Sequence, residues 1–254
     1  FLSTYICHPS MANNELSGPT VVTYLAKWLS QLTTHRYTYR FIFIPETIGS
    51  ITYLSRNYKH LKNNVVAGFN VSCVGDDRSY SYIPSRNGKT ISDTVSKHVL
   101  KWIDPDYTVY SWLDRGSDER QYCAPGIDLP IASILRTKYG QYPEYHTSLD
   151  NLKDVVTPKG LEGGYTAIRR ALELLEKNRN YKVNVLCEPQ MGKRGLYQTL
   201  SIKKKNEQGR LMMDFISHCD GKNSLLDIAD LIGVPAWNLY EIISKLESHN
   251  LISY

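Results

Sequence analysis

The feature that most constrains this chain is an exchange of apolar periodicities over roughly its first 180 residues, period two alternating with period 3.6. Leu2–Cys7 is β-prone, and Ser17-Gly18-Pro19 then opens a helix with Val21, Leu25, Trp28, Leu29 and Leu32 on one face. Tyr39–Ile44 reads as a strand ended by Pro45, Ser50–Leu61 as a helix and Val65–Val74 as a strand. Ile91, Val95, Val99, Leu100 and Ile103 mark a third helix, followed by strands at Thr108–Leu113 and Leu129–Leu135 and a long helix from Pro158 to about Glu176. Strands that alternate with helices predict an α/β fold, a mostly parallel mixed sheet with helices on both faces. Such sheets place ligands beyond the carboxyl ends of their strands, so the loops after Cys7, Ile44, Val74 and Leu135 are the places to look for chemistry.

The pattern changes after Lys177. Asn178–Val185 is polar, and Lys203–Gly209 reads as a charged turn. Leu211–Ser217, Leu225–Ile232 and Trp237–Leu246 are then short amphipathic helices, with Gly233-Val234-Pro235 as the turn between the last two and Leu251–Tyr254 as a closing strand. That order predicts a winged-helix domain. A boundary near residue 185 gives a catalytic domain over 1–185, its N-terminal part missing because the chain opens without Met inside a strand, and a winged helix over 186–254.

Composition narrows the function classes. A 42% hydrophobic content buries a proper core, and a net charge of +5 assists contact with nucleic acid or membrane without demanding either. No apolar run approaches the roughly 20 residues of a membrane span, and no basic leader precedes the first strand. The five cysteines are odd in number and form no CxxC pair, which points to reduced thiols in a cytoplasmic protein rather than a disulfide scaffold or a zinc ribbon.

Three of the strand-end loops carry residues suited to metal-assisted hydrolysis. In Cys7–Gly18, His8 leaves a strand and Asn14-Glu15 precedes a helix, so imidazole nitrogen and side-chain oxygen could both reach one zinc ion. The plainer reading makes His8 a strand-end residue and Asn14 or Ser17 a helix cap. Tyr145-His146-Thr147-Ser148-Leu149-Asp150 offers a second histidine, with Asp150 as an orienting partner or cap. Glu46 in Pro45-Glu46-Thr47-Ile48-Gly49-Ser50 is placed to act as a general base, or simply to cap a helix.

Taken in order, these motifs resemble the zinc aminopeptidase family with a phosphorylase/hydrolase-like fold. The match is best to its aminopeptidase-like branch, often linked with polysaccharide biosynthesis and carrying a C-terminal winged helix. Gly116–Gly126, with Ser117-Asp118-Glu119-Arg120, resembles that family's Ser-Asp-His stretch near the substrate pocket. The resemblance implies that His8 and His146 are metal ligands and Glu46 the general base. It also puts the family's bridging Asp at Asn14, its second Glu at Thr47, and its Asp-x-Val-Gly at Ser72-Cys73-Val74-Gly75, followed by Asp76 and Asp77. Two cations about 3.5–4 Å apart need anionic ligands to offset their repulsion, so these losses favour one Zn²⁺ over two. Asn14 and Glu15 stay open as the oxygen ligand.

Asp118, Glu119, Arg120 and Tyr145 are the candidate substrate contacts, an acid for a free amine and Arg120 for a carboxylate; a solvated helix start is the alternative for the first three. The function so implied is zinc-dependent hydrolysis of a peptide or amide bond. The rivals are a catalytically degenerate zinc- or ligand-binding module and a winged-helix regulator. In the would-be recognition helix Pro235–His249, Lys245 is the single full cation beside Glu241 and Glu247, so DNA is not the expected partner, though Lys203, Lys204, Lys205 and Arg210 could add charge nearby. A peptide or amide small molecule is the expected partner, membranes are not, and self-association is left open.

Overall fold

The computed structural model describes residues 1–196 and 203–254. Contacts divide the chain into two units, Phe1–Leu172 and Glu173–Tyr254.

The first unit is built on β1 (Leu2–Tyr5), α1 (Ser17–Ser30), β2 (Phe41–Ile44), α2 (Ile48–Asn64), β3 (Gly68–Asn70), β4 (Ser81–Ile83), α3 (Ile91–Ile103), β5 (Thr108–Val109), α4 (Glu119–Tyr122), β6 (Ile131–Leu135) and most of α5 (Pro158–Lys177). The strands lie in the order β2-β1-β3-β6-β4-β5. The first four run parallel, β4 is antiparallel to β6, and β5 is parallel to β4. This is the mostly parallel α/β sheet expected from the alternation.

Burial follows from the sequence pattern. β1 and β6 are buried at every position, as strands covered on both faces must be. One apolar cluster gathers Phe1, Ile42, Leu54, Leu61, Tyr122, Leu129 and Ile131, and another gathers Cys73, Ile83, Leu135, Tyr139, Tyr142 and Val155. Tyr145 packs against the second, which anchors one of the strand-end loops.

Four details differ from the sequence reading. Strand β3 is three residues, because the chain leaves the ladder after Asn70 to form the Ser72–Asp76 loop. Thr108–Leu113 divides into a two-residue strand and a short 3₁₀ turn, Trp112–Asp114, where Ser111 and Asp114 form a capping box. β4 had no period-two signal long enough to see; pairing with β6, some 50 residues on, creates it. Residues from Lys203 onward belong to a helix rather than a charged turn.

The second unit holds β7 (Asn180–Val183), α6 (Lys203–Ser217), β8 (Asp220–Ser224), α7 (Leu225–Ile232), a 3₁₀ turn at Ala236–Leu239, α8 (Tyr240–Ser248) and β9 (Ile252–Ser253). Its sheet runs β8-β7-β9, all antiparallel. The polar stretch Asn178–Val185 thus contains a strand whose Tyr181 is buried while its neighbours face water. Phe215, Leu225, Ile228, Leu239, Leu246 and Leu251 form the interior, giving a winged-helix fold. A capping box between Ser224 and Asp227 opens α7, and Gly233 closes it at φ 70°. The side chains of Lys203, Lys204 and Lys205, proposed as a basic cluster, lie outside the described part. Among the described residues no helix is long and apolar enough to cross a membrane.

Candidate metal centre

Two loops meet where β1 ends. The chain leaves Tyr5 through Cys7 and His8 and enters a single π turn, Ala12–Leu16, which runs directly into α1. Such wide turns inside helices recur at functional sites because they re-aim side chains. This one is buried, and its first amides have no partner within the turn. Asp150 supplies it from the other loop: Oδ1 accepts from Asn13 N at 2.7 Å, and Oδ2 from Asn14 N at 3.0 Å and Tyr142 Oη at 3.0 Å. Ala12 N also donates to the Asp150 carbonyl at 2.9 Å. Capping thereby ties the His146 loop to the His8 loop.

The tie brings the two histidines together, with ring centres 4.8 Å apart. His146 sits at φ 57° and stacks on Tyr145 at 4.0 Å. Glu15 is fully buried, and its Oε1 lies 3.0 Å from His8 Nδ1. Asn14 presents its amide nitrogen to that same oxygen at 2.6 Å, while Oε2 accepts from Cys7 N at 2.7 Å. Cys7 Sγ is 3.4 Å from both His8 Nδ1 and Glu15 Oε1, and 3.8 Å from Glu46 Oε2. Partial loss of water around Sγ and the neighbouring Glu15 carboxylate push the exposed Cys7 thiol up to about 12. Cys7, His8 and Glu15 have ligand atoms within 4.8 Å of one another. Sulfur, imidazole nitrogen and carboxylate oxygen are the three donor types zinc accepts, so the residues present fit that ion.

Glu46 reaches this cluster from the end of β2. Burial raises its carboxyl above the usual range, partly offset by hydrogen bonding from Ser117 and by the charge of Arg120. Directly after it Thr47 adopts φ 60°, ψ −65°, and Ile48 N donates back to the Glu46 carbonyl at 2.6 Å, a γ-turn that is strained at a β-branched residue. Asp118 holds the strain: its Oδ1 accepts from Thr47 N at 2.7 Å and Ser50 Oγ at 2.8 Å. Arg120 donates to Thr47 Oγ1 at 2.9 Å. Asp118 Oδ2 is buried without a hydrogen-bond partner among the described residues, and burial lifts its carboxyl to about 6.

The proposed substrate contacts separate into different environments. Tyr145 and half-buried Arg120 border the cluster's side of the fold, whereas Asp118 supports Thr47 from within. Glu119 is enclosed, accepting at Oε1 from Gly116 N, Ser117 N and Tyr139 Oη and at Oε2 from Asn70 Nδ2. Asp76 is enclosed as well, held by Thr137, Arg78 N and Asn13 Nδ2.

Residues 1–178 match a family described as a domain of unknown function, DUF4910, and residues 179–254 match a winged helix-turn-helix family. The chain belongs to the DUF4910 family. A Clostridium acetobutylicum protein named for polysaccharide biosynthesis and an aminopeptidase-like domain is 44% identical over 230 residues, covering 90% of this chain and 52% of that protein. A Clostridium acetobutylicum crystal structure described as a peptidase superposes with a TM-score of 0.87 at 40% identity, over 99% of this chain and 56% of the other. The chain therefore spans about half the length of these relatives. A Bacillus subtilis zinc aminopeptidase shares the fold, at a TM-score of 0.53 and 18% identity over 68% of this chain and 45% of its own. The resemblance to aminopeptidase-like proteins with a C-terminal winged helix holds at the level of family and fold.

Within the DUF4910 unit, sequence reasoning overlooked Cys7. Its signal was present, a thiol adjacent to a strand-end histidine, but side chains of adjacent residues in a strand point to opposite faces. The turn after Tyr5 is what lets Cys7 and His8 converge.

Proposed function

We propose that this DUF4910 chain is a zinc-dependent hydrolase of peptide or amide bonds, aminopeptidase-like in its chemistry, with a single metal ion. The observation that carries it is the meeting of loops from different strands of one sheet: His8 lies 3.0 Å from Glu15, the His146 ring lies beside that of His8, and Glu46 reaches Cys7 at 3.8 Å. His8, His146 and one oxygen, from Glu15 or Asn14, would hold the ion, with the fourth position left to water. Zinc there would supply Lewis-acid charge for a carbonyl oxygen and an acidified water nucleophile. Glu46 takes the proton from the attacking water on its carboxylate and returns it to the departing amine. Tyr145 lines the approach through its stack on His146, and Arg120 offers a cation to a substrate carboxylate. One ion is favoured because Thr47 and Ser72 stand where the wider family has carboxylates, and Thr47 is engaged with Arg120. The Clostridium relative is named for polysaccharide biosynthesis, and aminoacyl groups on sugars are among the amides such chemistry would reach.

Glu46→Gln is the test. It should retain zinc while turnover of a panel of aminoacyl amides falls by about 10²–10⁴-fold, the usual worth of a general base. Unchanged turnover would remove Glu46 from this role. Thr47 and Ser72 also favour a second reading, a catalytically silent binding module, which predicts zinc uptake by the wild type with no turnover of any amide.

A further inference from the structure

We propose that Cys7 is a thiolate ligand of this metal site, supplying the negative charge absent at Thr47 and Ser72 and selecting thiophilic divalent ions over magnesium or manganese. The proposal rests on the reading of the cluster as a metal centre. It starts from three distances: Sγ to His8 Nδ1 3.4 Å, Sγ to Glu15 Oε1 3.4 Å, and Nδ1 to Oε1 3.0 Å. The edges of a zinc tetrahedron with ordinary Zn–S, Zn–N and Zn–O bonds are about 3.3–3.6 Å, so both edges to Sγ already have that length and the Nδ1–Oε1 edge falls short of it.

The surroundings suit that role. The backbone amide of Cys7 donates to Glu15 Oε2, and Asn14 Nδ2 donates to Oε1, so the carboxylate is oriented by its neighbours as metal-bound carboxylates generally are. Cys7 is exposed, which gives an ion a way in, whereas Glu15 is sealed beneath it. One thiolate and one carboxylate neutralise a divalent ion, and with His8 and His146 as the nitrogen donors a fifth position would be left for the water that hydrolysis needs. On binding, the S–H bond of Cys7 breaks, an Sγ–metal bond forms and the proton passes to solvent. A sulfur donor then sets selectivity: thiolate suits zinc, cobalt(II) and cadmium, while magnesium and manganese prefer oxygen.

Cobalt(II) reports a sulfur ligand directly. The purified chain, stripped with a chelator and titrated with cobalt(II), should develop visible ligand-field bands together with a near-ultraviolet thiolate-to-cobalt charge-transfer band. Cys187→Ser, which removes the other exposed thiol, should keep both. Cys7→Ser should keep the visible bands, lose the charge-transfer band and weaken zinc by at least about tenfold, the low end of what even outer partners of a ligand cost. Cobalt binding without the band in the wild type, or with the band in Cys7→Ser, overturns the ligand while leaving the metal centre standing. No uptake of cobalt or zinc by the wild type overturns both. Should Cys7→Ser fail to fold, alkylation of the wild type followed by peptide mass spectrometry decides: zinc should protect Cys7 but not Cys187, and unprotected Cys7 in a zinc-loaded chain refutes the proposal.

Discussion

Asp93 collects five hydrogen bonds on one buried carboxylate, from Tyr82 Oη, Ser85 N and Oγ, and Thr90 N and Oγ1. Burial alone would raise its carboxyl, but these donors outweigh burial and hold it below the usual range. Its contribution to stability is therefore fully present at neutral pH and is lost as pH falls through the depressed value. Asp93→Asn should cost about 2 kcal/mol near pH 7, from the loss of charge-assisted bonds, with the gap to wild type closing below about pH 4. Denaturant titration across pH reads both. Asp118 has the opposite sign: burial, with Glu46 and Glu119 nearby, lifts it to about 6, so its ionisation weakens the fold as pH rises from about 4 to about 6. Asp118→Asn should gain stability over wild type through that window, by up to about 3 kcal/mol at ~1.4 kcal/mol per unit. A difference independent of pH would show that the buried carboxylate is not the titrating group.

At the scale of elements, α5 lies close against the Val74–Asp76 loop. A Cβ on Gly160 would meet the backbone carbonyl oxygens of Gly75 and Asp76, and one on Gly164 that of Val74. Backbone cannot swing aside as a long side chain can, so Gly160→Ala should destabilise by about 1–3 kcal/mol, while exposed Glu162→Ala stays within about 0.5 kcal/mol. The same loop carries Asp76, which holds Asn13 in the π turn, so metal affinity should fall with Gly160→Ala as well. Thermal melts and zinc titration of the two variants check this. These contacts also show what a sequence can and cannot disclose. The strand and helix periods of β1, β2, β6 and α5 were legible because each is set by its own apolar residues. Strand β4 was not, since Ser81–Ile83 becomes a strand only through its distant partners β6 and β5, nor was the π turn, whose cap comes from Asp150, more than 130 residues away.

For the whole molecule, family and α/β sheet were legible because the His8, Glu46 and His146 motifs recur in order, whereas the contribution of Cys7 depended on a turn that no spacing encodes. The winged-helix unit pairs Lys245 with Glu241 at 2.7 Å on the surface of α8, which leaves little free positive charge on that helix. Duplex DNA should accordingly fail to bind at low salt; a Kd that weakens steeply with added salt would contradict this. The other unit is proposed to hold a one-metal hydrolytic centre at the ends of its strands. Metal analysis of the purified chain after equilibration with excess zinc and dialysis tests it most directly. One zinc per chain, lost in His8→Ala and retained in Glu46→Gln, is the predicted result; two tightly held ions, or none, would contradict it.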